Sequence, residues 1–350
     1  MRATTNNTIS KKNLISFMSA TWIIIMSDSF GSPSHAAVFQ DMSISPDGET
    51  LALQYRGEVN GLSSIILMNV NSGLLSNIDN PQGYQVGSPS FSSDGKKIAV
   101  VIESKSGGIP SDIGYIDTEE KKVHFVTNGM KDNITSRGYP IFFPDGNKIL
   151  YTKGGIGKRT NFFSIEIDGR GDKKINKDQY SFISNISSRP FFISNDEFVF
   201  LSKGQTNIEI NNYLKSIGVD SVYSMSYVLA MNGNLNYSLV DFNKYILSKD
   251  KFDKNGLNYL SGSFNYGAYY YVGRNYEDNN RNYRYDVYKI NGNENPKRIT
   301  SADGDILYLC SSFFGDRIAF LSSPGDSGKM NVHIVDLKNS TDRIIDLPLL

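Results

Sequence analysis

Three histidines are the first residues to weigh as candidates for metal or acid–base chemistry. His35 lies near the N-terminus, while His124 and His333 lie in the similar strand-like segments "KVHFVT" and "NVHIVD". We interpret the two segments as equivalent edge strands, in which the two imidazoles could in principle share a metal ion. A strand alternates its side chains between two faces, however, and a histidine there is usually packed or solvated. So few histidines also argue against a multi-histidine metal centre, and we predict no metal site and no cofactor.

Other catalytic or binding motifs are weak in this sequence. No G-x-S-x-G nucleophile motif is present, and we expect no peptidase domain after residue 350. The segment "GGIGK" (154–158) lacks the spacing and the following helix of a phosphate-binding loop. An Arg-Gly-Asp triplet lies within "DGRGDKK" (168–174), where a hairpin loop is expected. Carboxylate pairs for glycoside hydrolysis remain open, because separate segments could bring them together. We therefore expect no catalytic residues, with an enzyme as the alternative.

The segment 259–290, "YLSGSFNYGAYYYVGRNYEDNNRNYRYDVYKI", is the richest in tyrosine and arginine. Tyr269 and Tyr271 should face one side of a strand and Tyr270 the other. The polar stretch that follows has the composition favoured at protein interfaces. We predict a partner-binding loop here, with a solvated loop as the alternative; the candidate residues are Tyr269, Tyr271, Arg274, Tyr276, Arg281 and Tyr283.

A repeated hairpin supplies the elements that must position these residues. The segments "SISPDGETLAL", "FSSDGKKIAVV" and "FFPDGNKILYT" place Asp47, Asp94 and Asp145 in equivalent turns, 47 and 51 residues apart. In such a turn proline fixes φ, aspartate accepts backbone hydrogen bonds and glycine adopts a positive φ. We therefore predict a structural role for the turn residues, including two in degenerate copies: Pro46, Asp47, Gly48, Asp94, Gly95, Pro144, Asp145, Gly146, Asp196 and Asp316.

Each repeat contains a second hairpin, as in "SIILMNVNSGLLSNI" (64–78) and "NVHIVDLKNSTDRIIDL" (331–347). Two hairpins make a four-stranded meander, and a meander every 40–50 residues is typical of a β-propeller blade. The sequence thus predicts an all-β fold, a six-bladed β-propeller of four-stranded antiparallel blades. The predicted blades are 38–79, 88–127, 139–176, 188–241, 259–300 and 305–347. A seventh, partial blade within 203–258 is the alternative to an insertion in blade four.

The repeats "SISPDGETLAL", "PSFSSDGKKIAVV" and "PIFFPDGNKILYT", each followed by a strand like "IGYID" (113–117), resemble those of the TolB family. Related repeats occur in propellers of prolyl-oligopeptidase relatives and tricorn-type proteases, so the motif indicates fold more than function. The sequence departs from TolB, which carries an α/β domain before its propeller: the first hairpin, "SISPDGETLAL", begins soon after the proposed cleavage site before Ala37, so we expect a propeller without that domain. A full resemblance would also imply binding of the peptidoglycan-associated lipoprotein at one channel mouth; no contact residue is transferred.

The N-terminus predicts export. Lys11 and Lys12 precede the apolar run Leu14–Met26, whose 13 residues span only about 20 Å as a helix and favour a signal peptide over a membrane anchor. Small residues place cleavage before Ala37, giving a signal peptide over 1–36 and a TolB-like propeller over 37–350. A buried strand or uncleaved anchor is the alternative.

Composition adds information about compartment and partners. Lysine plus arginine equals aspartate plus glutamate at 36 each, which favours neither nucleic acid nor an anionic membrane as partner. The single cysteine, Cys310, can form no internal disulfide and lies in an apolar stretch typical of packing. We expect a periplasmic or secreted interaction scaffold that binds another envelope protein and does not insert stably into the membrane. A channel that binds carbohydrate or performs catalysis is the alternative.

Overall fold

The computed structural model describes sixteen segments of the chain: 38–57, 61–106, 110–128, 135–155, 158–175, 189–192, 197–203, 226–232, 237–239, 262–265, 268–275, 284–291, 297–300, 305–312, 316–323 and 330–347. Residues Ala37–Leu350 form one compact unit. The described segments form six four-stranded antiparallel sheets, as the repeats predict.

Each sheet consists of four strands that are consecutive in sequence. Blade one contains β1 (Val38–Ile44), β2 (Thr50–Arg56), β3 (Ser63–Asn69) and β4 (Leu75–Asn77). Blade two contains β5 (Tyr84–Phe91), β6 (Lys97–Ser104), β7 (Ser111–Asp117) and β8 (Lys122–Phe125). Blade three contains β9 (Thr135–Phe142), β10 (Lys148–Gly155), β11 (Lys158–Glu166) and β12 (Lys173–Lys174).

The second half of the chain repeats this order. Blade four contains β13 (Phe191–Phe192), β14 (Glu197–Lys203), β15 (Ser226–Asn232) and β16 (Tyr237–Leu239). Blade five contains β17 (Gly262–Asn265), β18 (Ala268–Asn275), β19 (Arg284–Asn291) and β20 (Lys297–Arg298). Blade six contains β21 (Asp305–Ser311), β22 (Arg317–Ser323), β23 (Asn331–Asp336) and β24 (Thr341–Asp346).

The first strand of each blade faces the centre of the ring. The contacts of β1 with β5 and β21, of β5 with β9, and of β17 with β13 and β21 link neighbouring blades through their first strands. The Phe143 and Phe192 rings, 4.7 Å apart, join blades three and four. Blades one and four are therefore opposite each other across a central channel lined by the first strands.

Apolar side chains between neighbouring blades form the core. Leu51, Leu53 and Met68 of blade one pack with Ala319 and Leu321 of blade six in a single buried cluster. Alternation along the second strands supplies these side chains, because every other residue faces the adjacent blade. Among the described residues the first and sixth sheets exchange no strand, so side-chain packing joins the two ends of the ring.

The repeated turns form a rim at one mouth of the channel. Gly48, Gly95 and Gly146 have φ values of 76°, 71° and 73°, as the turn motif predicts. Asp47 Oδ1 accepts hydrogen bonds from the Ser45 hydroxyl at 2.5 Å and the Glu49 N–H at 2.9 Å. Asp94 and Asp145 accept from the backbone N–H two residues further on, both at 3.0 Å. The structural role predicted for the three complete turns is therefore consistent with their geometry.

One degenerate turn was aligned wrongly. The Asp316 carbonyl accepts from Leu337 N–H at 2.6 Å, as the Glu49 carbonyl accepts from Val70 N–H at 2.8 Å. Asp316 therefore occupies the position of Glu49, two residues after the turn aspartate, and its carboxylate pairs with Lys338. The reason is that strand pairing aligns the repeats, and "SFFGDR" has no aspartate at the turn position. Asp196 lies outside the described residues.

Two other sequence predictions, the signal peptide and the seventh blade considered within 203–258, fall wholly or partly outside the described residues. The proposed signal peptide, 1–36, does so entirely. The choice between a seventh, partial blade and an insertion within 203–258 falls partly outside them. The described strands β15 and β16 of this range complete the fourth sheet, and β13 of that sheet contacts β17 of the next blade. The described residues contain no helix long and apolar enough to cross a membrane.

Candidate functional site in the central channel

Strand pairing gives a common reference position at the end of the first strand in five blades, namely one, two, three, four and six. In blade one Ile44 pairs with Leu51, and Asp41 lies three residues before Ile44. The corresponding pairs in blades two, three, four and six are Phe91–Ile98, Phe142–Ile149, Phe192–Phe198 and Ser311–Ile318. The residues three positions before these first-strand residues complete a set that we call the channel ring: Asp41, Ser88, Tyr139, Arg189 and Tyr308.

The backbone is irregular at the channel ring. The pairing register shifts beside Asp41, Ser88, Tyr139 and Tyr308, as expected of β-bulges. Ser88 and Tyr139 also adopt the left-handed region, with φ values of 53° and 50°, which is uncommon for residues other than glycine. Such backbone strain persists only where the surroundings hold it, and it is enriched at binding sites.

An ion pair crosses the channel between opposite blades. Arg189 Nη2 lies 2.5 Å from Asp41 Oδ2, and Arg189 Nη1 donates to the Met42 carbonyl at 3.2 Å. The two side chains are 19% and 24% exposed, so they are largely but not fully removed from solvent. Because blades one and four are diametrically opposed, this contact spans the channel and fixes its width at the ring.

The channel ring has a distinct electrostatic character. Burial raises the pKa of the Asp41 carboxyl, although Arg189 and the Met42 N–H both oppose that rise. Burial and the nearby Asp41 charge raise the pKa of Tyr139 to about 12, and the pKa of Tyr308 is raised for the same reasons. Both phenols therefore stay protonated at neutral pH and can donate hydrogen bonds.

Cys310 lies two residues after Tyr308 in β21. It packs against the core cluster between blades six and one, as predicted for a small apolar residue. Burial is the main cause that raises the pKa of its thiol to about 12, so the thiol remains protonated and unreactive.

A chain of amide side chains supports the bulge in blade two. Gln54 Oε1 accepts from the Ser88 N–H at 2.8 Å, and Gln54 Nε2 donates to Gln40 Oε1 at 3.1 Å. A Cβ added to Gly87 would lie 2.8 Å from the Gln54 amide, so only glycine fits there without displacement. Gln54 thus holds the strained backbone of Ser88 in place.

The predicted partner-binding residues divide between strand β18 and a segment outside the described residues. Tyr269, Tyr271 and Arg274 lie in β18, and Tyr276, Arg281 and Tyr283 lie outside the described residues. Tyr270, on the alternate face of β18, is 1% exposed in the core between blades five and six.

The two histidines in strands are not equivalent, contrary to the sequence interpretation. His124 lies in β8, the fourth strand of its blade, and stacks on Tyr115 at 4.9 Å. His333 lies in β23, the third strand of its blade. The short segments look alike, but strand order in the blade, which the local sequence does not show, decides their positions. Within the described residues no group of three or more His, Cys, Asp or Glu side chains is arranged to hold a metal ion.

His333 instead belongs to a Ser–His–Asp hydrogen-bond chain inside blade six. Its Nδ1 lies 3.0 Å from Asp342 Oδ2, and its Nε2 lies 2.9 Å from the Ser322 hydroxyl. Since an ionised carboxylate only accepts, the imidazole donates to Asp342 from Nδ1, and Ser322 is the hydrogen-bond partner of Nε2. The chain has the order of a serine-hydrolase triad. Ser322 is only 1% exposed within the sheet, however, so the arrangement is a packing element.

The two weak motifs lie in hairpins. The segment 154–158 joins β10 to β11, and a strand follows it where a phosphate-binding loop would require a helix. Within the Arg-Gly-Asp triplet, Arg170 pairs with Asp168 at 2.5 Å. Asp172 accepts from the Tyr151 hydroxyl at 2.6 Å and pairs with Lys153 at 3.1 Å. Both charged groups of the triplet are therefore engaged within blade three.

No family model matches the chain, and no curated protein matches it in sequence. Solved structures match its fold. The β-propeller domain of the Trilobed protease from Pyrococcus furiosus is 13% identical, with a TM-score of 0.57 over 88% of this chain and 97% of that one. It has an open velcro topology. TolB from Acinetobacter baumannii is 15% identical, with a TM-score of 0.54 over 98% of this chain and 72% of that one.

The tricorn protease is 13% identical, with a TM-score of 0.55 over 90% of this chain but only 26% of the protease. This chain therefore spans about a quarter of that enzyme. The blades and these neighbours define the class: the protein is an all-β propeller. More particularly, it has a TolB-like β-propeller fold, as the repeats predict. Because proteases share this fold, function must be argued from the site.

Proposed function

We propose that the protein is an exported, non-catalytic propeller that binds another envelope protein at one mouth of its channel. The observation that carries this proposal is the ion pair between Asp41 and Arg189. It joins opposite blades across the channel, so the polar groups at the axis bind each other. A protein partner would therefore bind at one of the two mouths of the channel, where it would contact the loops.

The mouth opposite the turn rim is the favoured surface. The second and third strands of each blade are connected at that mouth, as the pairing of Lys203 with Ser226 and of Asn275 with Arg284 indicates. The residues between the second and third strands, 204–225 in blade four and 276–283 in the adjacent blade five, are more numerous than the two residues 156–157 of blade three, and they lie outside the described residues. The second of these ranges contains Tyr276, Arg281 and Tyr283. Tyrosine and arginine are enriched among residues that dominate binding energy at interfaces.

Replacing Tyr276 and Arg281 together with alanine is expected to reduce partner capture at least tenfold, because interface residues of these types often contribute about 2 kcal/mol or more each. The unfolding temperature should not change. Capture is measured by quantitative mass spectrometry after a pull-down from envelope extract. The matched control is Lys96→Ala with Asn147→Ala, two exposed residues of the turn rim at the other mouth. Equal capture by the two double variants would remove the loop from the interface.

Export is tested separately, by the N-terminal residue of the protein recovered from outside the cytoplasm. We expect it to begin at Ala37, because the run Leu14–Met26 has the length of a signal-peptide core. Ile24→Asp should block processing by placing a charge in that run, whereas Ile24→Leu should not. If the wild type and Ile24→Asp were both recovered without cleavage, export through a cleaved signal peptide would be contradicted.

A further inference from the structure

We propose that the channel ring is a binding site for small carboxylates, with Arg189 as the anchoring residue. The proposal does not depend on a protein partner at either mouth. It rests on the position of Arg189, on the carboxylate that already contacts it and on the hydroxyl groups around it.

Arg189 is held as a carboxylate receptor. Its Nη2 contacts Asp41 Oδ2 at 2.5 Å, and its Nη1 donates to the Met42 carbonyl. Its Nε is buried and has no hydrogen-bond partner among the described residues. A guanidinium presents paired N–H groups that match both oxygens of a carboxylate. Asp41 satisfies that geometry only in part, through one oxygen.

The other oxygen of Asp41 is engaged by its own strand. Met42 N–H donates to Asp41 Oδ1 at 2.8 Å, which keeps this oxygen directed toward the backbone of β1. A free carboxylate has no such restriction and can present both oxygens to Arg189. Asp41 therefore competes with a ligand for Arg189. It contacts the guanidinium through one oxygen, whereas a free carboxylate could use both.

The rest of the ring suits a small, polar anion. Tyr139 and Tyr308 keep their hydroxyl protons at neutral pH and lie near enough to Asp41 to feel its charge. The half-buried Ser88 adds a third hydroxyl at an equivalent position. Neutral donors around a cation favour an anion over a second cation. Because Arg189 and Asp41 are in direct contact, a ligand that replaces Asp41 at the guanidinium must be small.

If Asp41 competes with the ligand for Arg189, then replacing Asp41 should strengthen ligand binding. Asp41→Asn removes the competing charge while leaving an oxygen near Arg189, so succinate should bind the variant about tenfold tighter than the wild type. The wild type should bind succinate weakly, in the millimolar range, because an attached competitor acts at high effective concentration. Arg189→Gln should abolish binding, because it removes the cation.

Isothermal titration calorimetry of the purified protein with sodium succinate tests this, with sodium chloride of equal ionic strength as the reference. Arg170→Gln is the matched control, since it removes an exposed arginine ion pair outside the channel. Tighter binding by Asp41→Asn together with unchanged binding by Arg170→Gln supports the site. Equal, weaker or absent binding by Asp41→Asn overturns it, and so does binding retained by Arg189→Gln. If Arg189→Gln fails to fold, the comparison of Asp41→Asn with the wild type decides alone.

Discussion

Arg189→Ala is expected to lower the free energy of unfolding by roughly 2–3 kcal/mol at pH 7.5. Loss of one partner from a buried ion pair costs about 3–5 kcal/mol, and partial exposure of this pair reduces that figure. The variant leaves the Asp41 carboxylate in a channel whose surroundings already disfavour its charge. Urea unfolding measures the change. Arg170→Ala removes an arginine that is 80% exposed and should cost less than about 0.5 kcal/mol.

The loss of unfolding free energy in Arg189→Ala should become smaller as the pH is lowered. Because burial raises the pKa of folded Asp41 above 3.8, the folded state binds its proton more tightly than the unfolded state does. Ionisation of Asp41 therefore destabilises the fold as pH rises from 3.8 through the folded pKa. Without Arg189 that penalty grows, so the stability difference between variant and wild type should shrink on acidification. A difference that is constant from pH 7.5 to pH 4 would contradict this explanation.

Arg137→Met should cost about 3–5 kcal/mol, the largest effect that we expect from a single charged residue. Arg137 lies between blades two and three with its side chain 5% exposed, and its Nη1 is 3.8 Å from Asp112 Oδ1. The Asp112 side chain is 3% exposed and accepts from the Thr127 hydroxyl at 2.5 Å. Removal of the cation takes the Arg137 charge away from the buried Asp112 carboxylate, which is the costly event.

Urea unfolding of Arg137→Met, Asp112→Asn and the double variant measures the coupling between the two charges. The double variant should be more stable than the sum of the single losses implies, because neutralising both partners removes the unpaired charge. Arg56→Met serves as control, since Arg56 donates to the Gly61 carbonyl at the protein surface. Strict additivity of the two changes would show that the charges do not interact.

Much of the fold could be predicted because the repeat carries its own turn chemistry. The proline, aspartate and glycine of the turns specify local geometry, and their spacing specifies the number of blades. The prediction failed where the motif degenerates. In "SFFGDR" Arg317 pairs with Asp336, and this register places Asp316 two residues beyond the position of the turn aspartate. A repeat must therefore be aligned by its strands when its turn residues are lost.

The candidate site could not be predicted in the same way. Asp41 and Arg189 are 148 residues apart in sequence, and they meet only because blades one and four are opposite in a six-bladed ring. Each is unremarkable in its own repeat. Aligning the repeats by strand would have placed Asp41 and Arg189 at equivalent positions of their blades. Whether these two positions meet across the channel depends on the number of blades in the ring. For the two histidines the error was the opposite one. Their segments are similar in sequence, but they form different strands of their blades.

We propose that the protein works by binding an envelope partner at the mouth opposite the turn rim. The most direct test is a pull-down with the tagged full chain from solubilised envelope extract, with recovered proteins quantified against the bait. We predict recovery of one envelope protein in stoichiometric amount, lost with Tyr276→Ala/Arg281→Ala and retained with Lys96→Ala/Asn147→Ala. Recovery of no protein in stoichiometric amount would contradict the interaction function.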